Sequence, residues 1–210
     1  MPNRKKSVVP KVRELPGQKR KEVDTVKEYV KEKSAQFLRE QVVRSLERAA
    51  KKKVTPHQVL DSFMFAADTH IIDLLPLDAK KKALAKKVVE HDSHHIGYAK
   101  QANPVFEVGE AISVLEHGLF SFEQLEPERL AELPFNVEKV KDTFRATLVD
   151  IKKDAGKFAR LDPSIVTSLR LINSRILRQV LGERMTFIFG EISLEAQHAF
   201  IPQLNKMIER

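Results

Sequence analysis

The sequence predicts an all-α fold: two helical halves, each with a long central helix flanked by shorter helices, with a single helical bundle as the alternative. Three observations carry this. Apolar residues recur at three- and four-residue spacing along most of the 210 positions, the period of a helix with one buried face. Only 7 glycines interrupt the chain, and Val and Ile fall among Lys, Glu, Arg, Leu and Ala, so no strand is expected. The content of 42% hydrophobic and 31% charged residues is enough to bury a core and too apolar for a disordered chain. The length suits one large helical domain or two small ones.

Residues 1–20 carry Arg4, Lys5, Lys6, Lys11, Arg13, Lys19 and Arg20 with three prolines and a Pro16-Gly17 turn signal, and are expected to form a basic flexible arm. A basic helical half follows over 21–102. From Asp24 as N-cap, Val26, Val30, Phe37, Leu38, Val42, Leu46 and Ala49 mark one face of a long helix that reaches about Lys51. Thr55-Pro56 reads as the N-cap and first position of a second helix, and a third runs from about Asp78 to Gly97. Residues 103–134 are expected to be an acidic connector of short helices, interrupted by Gly118, Pro127 and Pro134. The second helical half, 135–210, begins with a helix from Asn136 to Lys153. Asp162-Pro163 then opens a long helix that ends near Gly190, and a last helix starts at Ser193.

Charge is distributed unevenly. Residues 1–100 hold 23 Lys and Arg against 13 Asp and Glu; residues 101–210 hold 14 against 16. A strongly basic front suits nucleic acid, an anionic membrane surface or an acidic partner, because each presents dense negative charge. The absence of cysteine rules out disulfides, thiolate metal sites and thiol nucleophiles. No apolar run approaches the ~20 residues of a membrane span, and the basic start is not followed by the apolar stretch of a secretory signal. An intracellular protein (cytoplasmic, nuclear or in a virion) that is not secreted is therefore expected, with no membrane partner.

Glu90-His91-Asp92-Ser93-His94-His95 is the one dense cluster able to bind metal or move protons. On a helix His91 and His95 lie four apart on one face, so His91, His94 and His95 are candidate ligands; a solvated helix end where imidazoles complement the dipole explains the cluster as well. Glu195-x-x-His198 supplies one Glu-x-x-His pair of the kind found in helical di-metal sites, but Glu90 is followed by Ser93 instead of His. No phosphate-binding loop, nucleophile elbow, zinc helix or dinucleotide fingerprint occurs. No catalytic residue and no cofactor are assigned, and an enzyme is the less favoured class. An interaction scaffold, in which the acidic back meets a basic partner or the front of a second copy, is a further class.

Each half repeats a short helical segment, a long helix, a loop and a short helix, and this pattern resembles the histone fold. FLREQVVRSLERAAKKKVTPHQVLDSFM looks like the end of a central histone helix, its second basic loop and the third helix, and LLPLDAKKKALAKKVVEHDSHH is similar to an added C-terminal helix. In the back half ELPFNVEKVKDTF, DPSIVTSLRLINSRILRQVLGERM and ISLEAQHAFIPQL resemble first, central and third helices. The resemblance implies a fused histone doublet that packages double-stranded DNA. It departs from the pattern at GEISLE, which is acidic where histones are basic, and in the long stretch 146–161.

Physically, two such halves would pair to cover their apolar faces, and helix N-termini and basic loops would meet phosphates without reading bases. The residues expected at the DNA backbone are Arg4, Lys5, Lys6, Lys19, Arg20, Lys21, Lys51, Lys52, Lys53 and Thr55 in front, and Lys157 and Arg160 behind. The run Lys51 to Lys53 is also explained as cations at a helix C-terminus. Self-association or a helical partner is expected alongside DNA.

Overall fold

The computed structural model describes residues 16–51, 54–95, 104–154 and 156–209, with side chains described from 24 onward except at 57 and 92–95. The chain is all-α, with seven helices among the described residues and one small sheet. The helices are α1 (Pro16–Ala50), α2 (Pro56–Leu74), α3 (Ala79–His95), α4 (Val108–Gln124), α5 (Pro127–Ala131), α6 (Val137–Lys153) and α7 (Pro163–Ile208). Strands β1 (Val105–Glu107) and β2 (Phe158–Arg160) pair antiparallel, with Phe106 opposite Ala159. No helix among the described residues is long and apolar enough to cross a membrane.

Local signals set most helix starts. Thr55 caps α2 with a full capping box: its Oγ1 accepts from the Gln58 N–H at 3.2 Å, and Gln58 Oε1 accepts from the Thr55 N–H at 2.9 Å. Asn136 accepts from the Lys139 N–H at 2.9 Å to open α6. Asp162 accepts from the Ser164 N–H at 2.7 Å before Pro163 opens α7, and the hydrogen bonds from Ser164 hold the Asp162 carboxyl below its ordinary pKa.

Four expectations are corrected. Asp24, expected as the N-cap of the first long helix, lies inside α1, which already begins at Pro16, a residue that suits a first helical turn as well as a loop; residues 16–20 of the arm are therefore helical, and 1–15 lie outside the described residues. The connector contains a 17-residue helix, α4, that runs straight through Gly118. Two three-residue strands exist where none was expected, too short for any period to reveal. The long C-terminal helix breaks at Gly182 and continues through Gly190 and Ser193.

Gly182 has φ 75° and ψ 158°, a conformation that only glycine adopts readily. It divides α7 into a proximal arm, 163–181, and a distal arm, 183–208. A Cβ at Gly182 would meet nothing within 4 Å, so backbone conformation alone fixes the residue. Gly182→Ala is therefore expected to lower unfolding free energy by about 1–3 kcal/mol. Gly190→Ala, in a regular helix with open space around it, should raise it by up to about 1 kcal/mol. Urea denaturation of both variants checks the contrast.

The break lets one helix serve two bundles. The distal arm runs alongside α1, with Lys27 bonded to Glu191 and Lys31 to Glu195 at the same sequence offset, so the two helices are parallel. Helix α2 is antiparallel to both: Arg48 reaches Ser62, Phe37 stacks on His70, and Phe63 stacks on Phe200. The proximal arm runs parallel to α4, tied by Gln179 to the backbone of Gln124 and Glu126, and α6 packs antiparallel on α4 through Phe144 and Phe122. The larger core is continuous from Val30, Ile71 and Val88 through Leu115, Phe122 and Phe144 to Leu169, Ile176 and Ile192, on both sides of residue 102. A second, smaller core holds Val59, Phe63, Ala67, Ala196, Phe200 and Leu204.

Candidate nucleic-acid interface

The cations of the basic front half separate into those that a carboxylate pairs and those without such a partner among the described residues. On α3 Lys86 lies 2.5 Å from Asp73, Lys82 donates to the Asp73 carbonyl at 2.6 Å, Lys81 sits 3.9 Å from Asp78, and the Lys87 ammonium rests 3.7 Å from the Phe120 ring centre. On α1, Lys27 and Lys31 are held by Glu191 and Glu195. Carboxylates thus match Lys27, Lys31, Lys81 and Lys86, while Lys82 and Lys87 have neutral partners and keep their charge.

The turn from α1 to α2 differs. Arg48 donates to the neutral hydroxyl of Ser62 at 2.6 Å, which leaves its charge uncompensated. Arg44 approaches Glu40 only to 3.6 Å and is largely exposed. Lys51 is exposed and has no side-chain partner among the described residues. Lys52 and Lys53 lie outside the described residues. Thr55 is exposed, but its hydroxyl oxygen and the Gln58 N–H are engaged in the capping box, and Pro56 has no N–H to offer. The α2 N-terminus therefore contributes less to anion binding than expected, and the interface rests on side-chain charge.

A second cationic place is the β1–β2 ribbon. Lys157 and Arg160 are exposed and have no ion-pair partner among the described residues. Between them Phe158 is 57% exposed, with the Lys157 ammonium 5.4 Å from its ring centre. The exposed ring keeps the two cations on one small surface, where charge can meet a phosphate backbone. Arg44, Arg48 and Phe158 were not singled out from sequence. The only signal was the interleaving of Lys157-Phe158-Ala159-Arg160, which is unremarkable in a linear reading. The two places flank opposite ends of α7: Arg160 precedes Pro163, while Val54 packs beside the core of Phe200 and Leu204.

Of the remaining expected residues, Lys19, Arg20 and Lys21 lie on the first turns of α1 with side chains outside the described set, and Arg4, Lys5 and Lys6 lie outside it entirely.

The histidine cluster does not point outward as a unit. The ring of His91 stacks on that of His117 at 3.7 Å and 14°. His117, only 4% exposed, places Nε2 3.2 Å from Asn173 Oδ1 and 3.1 Å from Ser121 Oγ. His91, half-buried beside Val88 on the apolar side of α3, thus joins α3 to α4. The side chains of His94 and His95 lie outside the described residues. Among the described residues no three His, Asp or Glu are grouped to hold a metal ion.

One histidine gives a testable pH response. His70 stacks on Phe37 at 3.9 Å between α2 and α1. Burial lowers its pKa below the ordinary value, opposed by a hydrogen bond with the Lys33 backbone and by Asp73. A folded-state pKa below the unfolded one means that the unfolded chain binds the proton more readily. Stability from this group is complete above about pH 6.5 and falls as pH drops through the folded-state value. His70→Phe is expected to flatten the acid limb of a Tm-against-pH profile; an unchanged limb would assign the acid response elsewhere.

Compared with protein-family models, curated proteins and solved structures, the chain matches none.

Proposed function

We propose that this chain is a non-enzymatic protein that binds the backbone of double-stranded DNA. The observation that carries the reading is a difference in neutralisation: carboxylates pair with Lys27 and Lys31 on the α1–α7 seam and with Lys81 and Lys86 on α3, whereas Arg48, Lys51, Lys157 and Arg160 stand at two exposed ends with no carboxylate partner among the described residues. Cations left unmatched at exposed ends suit phosphates, which bind by charge without base readout. The excess of basic residues in positions 1–100 adds to that field. Packaging of DNA inside a cell or virion, the role that the resemblance to fused histones implies, is the form of this activity we favour.

The test is binding to a mixed-sequence duplex, measured by fluorescence anisotropy across a salt series. Affinity should fall linearly on a log–log plot, and Lys51→Ala, Lys157→Ala and Arg160→Ala should each reduce the slope by about one unit. Lys86→Ala, which removes a lysine already matched by Asp73, should leave the slope unchanged. A slope near zero for the intact chain, or an equal effect from Lys86, would sink the proposal.

A further inference from the structure

Among the described residues the smaller core is covered on one side only. Helices α1 and the distal arm of α7 run parallel, are clasped by Lys27–Glu191 and Lys31–Glu195, and leave a groove of about 630 Å³ beyond the clasp. Its floor is Phe63 on α2, and its walls carry Ala35, Leu38 and Val42 on one side and Ala196 and Ala199 on the other. Leu38, Val42 and Leu46 are only partly buried, and Val43 at the rim is 54% exposed. Three helices thus surround a core that four would close.

The charges along the groove decide what fits. Every cation that lines it, Lys31 and Arg39, stands on the α1 wall, and the one anion, Glu195, stands on the α7 wall. Arg39 uses its Nε–H on the Ala35 carbonyl at 3.1 Å and has no carboxylate partner among the described residues. We infer that the occupant is a second copy of this chain, docked groove to groove about a two-fold axis that runs along the helices. That axis sets α1 of each copy against α7 of the other, so the two Lys31–Glu195 pairs, each already joined within its chain, meet in opposite order. A two-fold axis across the helices would instead oppose α1 to α1 and α7 to α7, placing like charges together.

The axis preserves height along the helices. Lys31 and Glu195, level within one chain, meet the same pair of the partner copy and form an alternating ring of four charges. The small residues Ala35 and Ala199, separated by the same offset as the two ion pairs, lie at one level and let the helices approach closely. Both α1–α2 turns come to the same end of the dimer, so the basic ends of two chains form one surface. The pairing does not depend on the nucleic-acid reading, and only this last consequence rests on it.

Sedimentation of the full chain without nucleic acid, from about 1 to about 100 μM, tests the pairing. A dimer is expected, and Ala199→Glu, a change at an exposed helix position, should weaken it at least tenfold while leaving the circular dichroism spectrum and Tm of the monomer intact. A chain that stays monomeric throughout, or a dimer indifferent to Ala199→Glu, overturns the inference. Orientation is read in the naturally cysteine-free chain. Ala35→Cys mixed with Ala199→Cys should form the mixed disulfide in preference to either homodimer, whereas preferred homodimers would overturn the axis. Salt-dependent DNA binding by a chain that does not dimerise would leave the proposed function standing while this inference falls.

Discussion

Phe200→Ala is expected to lower unfolding free energy by about 3–5 kcal/mol, a large share of the roughly 5–15 kcal/mol that holds a domain of this kind together. Phe200 is fully buried and stacks on Phe63 with ring centres 4.1 Å apart. The smaller core has only six buried residues, so few neighbours can move in to fill the space left by a ring. The loss should also be localised. Phe200 fastens the distal arm of α7 to the α1–α2 hairpin, so amides of α1 and α2 should lose hydrogen-exchange protection before those of α4 and α6. Phe187→Ala on the same arm removes a side chain that is 66% exposed and should change stability by less than about 0.5 kcal/mol. Equal effects from the two variants in urea denaturation would mean that the distal arm does not anchor the hairpin.

Gly118→Ala is expected to be nearly as damaging, although alanine is the better helix former by about 1 kcal/mol. A Cβ at this position would stand 2.4 Å from Leu169 Cδ2 and 2.5 Å from Phe144 Cε2. Both neighbours are fully buried, so neither can turn into solvent. Forcing a methyl group into such a site costs typically about 1–3 kcal/mol through off-rotamer side chains and helix displacement, and the two opposed contacts place this case at the upper end. Leu169→Ala in the Gly118→Ala background should recover part of the loss even though it destabilises alone. Purely additive effects in that double-mutant cycle would rule out the steric account.

These two glycines show how far a linear reading reaches. Gly118 looked like an interruption and lies inside α4, because the residue is there to let α4, α6 and the proximal arm of α7 approach. Gly182 drew no notice and is the one sharp break in a 46-residue helix. Glycine serves close packing and positive φ equally well, and which of the two operates depends on neighbours that are remote in sequence. The helix caps behaved differently. Thr55-Pro56, Asn136 and Asp162-Pro163 were readable because each capping bond closes within three residues, so the signal and its partner lie in one short window.

The candidate interface divides along the same line. Sequence by itself determined the helical class, the caps at Thr55, Asn136 and Asp162, though not the start of α1, where Asp24 is internal, and the excess of positive charge toward the front, since these follow from composition, spacing and contacts a few residues apart. Tertiary structure alone decided which cations keep their charge. Glu191 and Glu195 reach lysines 164 positions away, Asp73 is folded beneath α3 by a turn, and Arg48 meets a hydroxyl instead of a carboxylate. It likewise turned His91 inward onto His117 and brought the C-terminal arm back to complete the core of the first hairpin. Coulomb attraction and apolar burial act on distance in space, and only the folded chain fixes that distance.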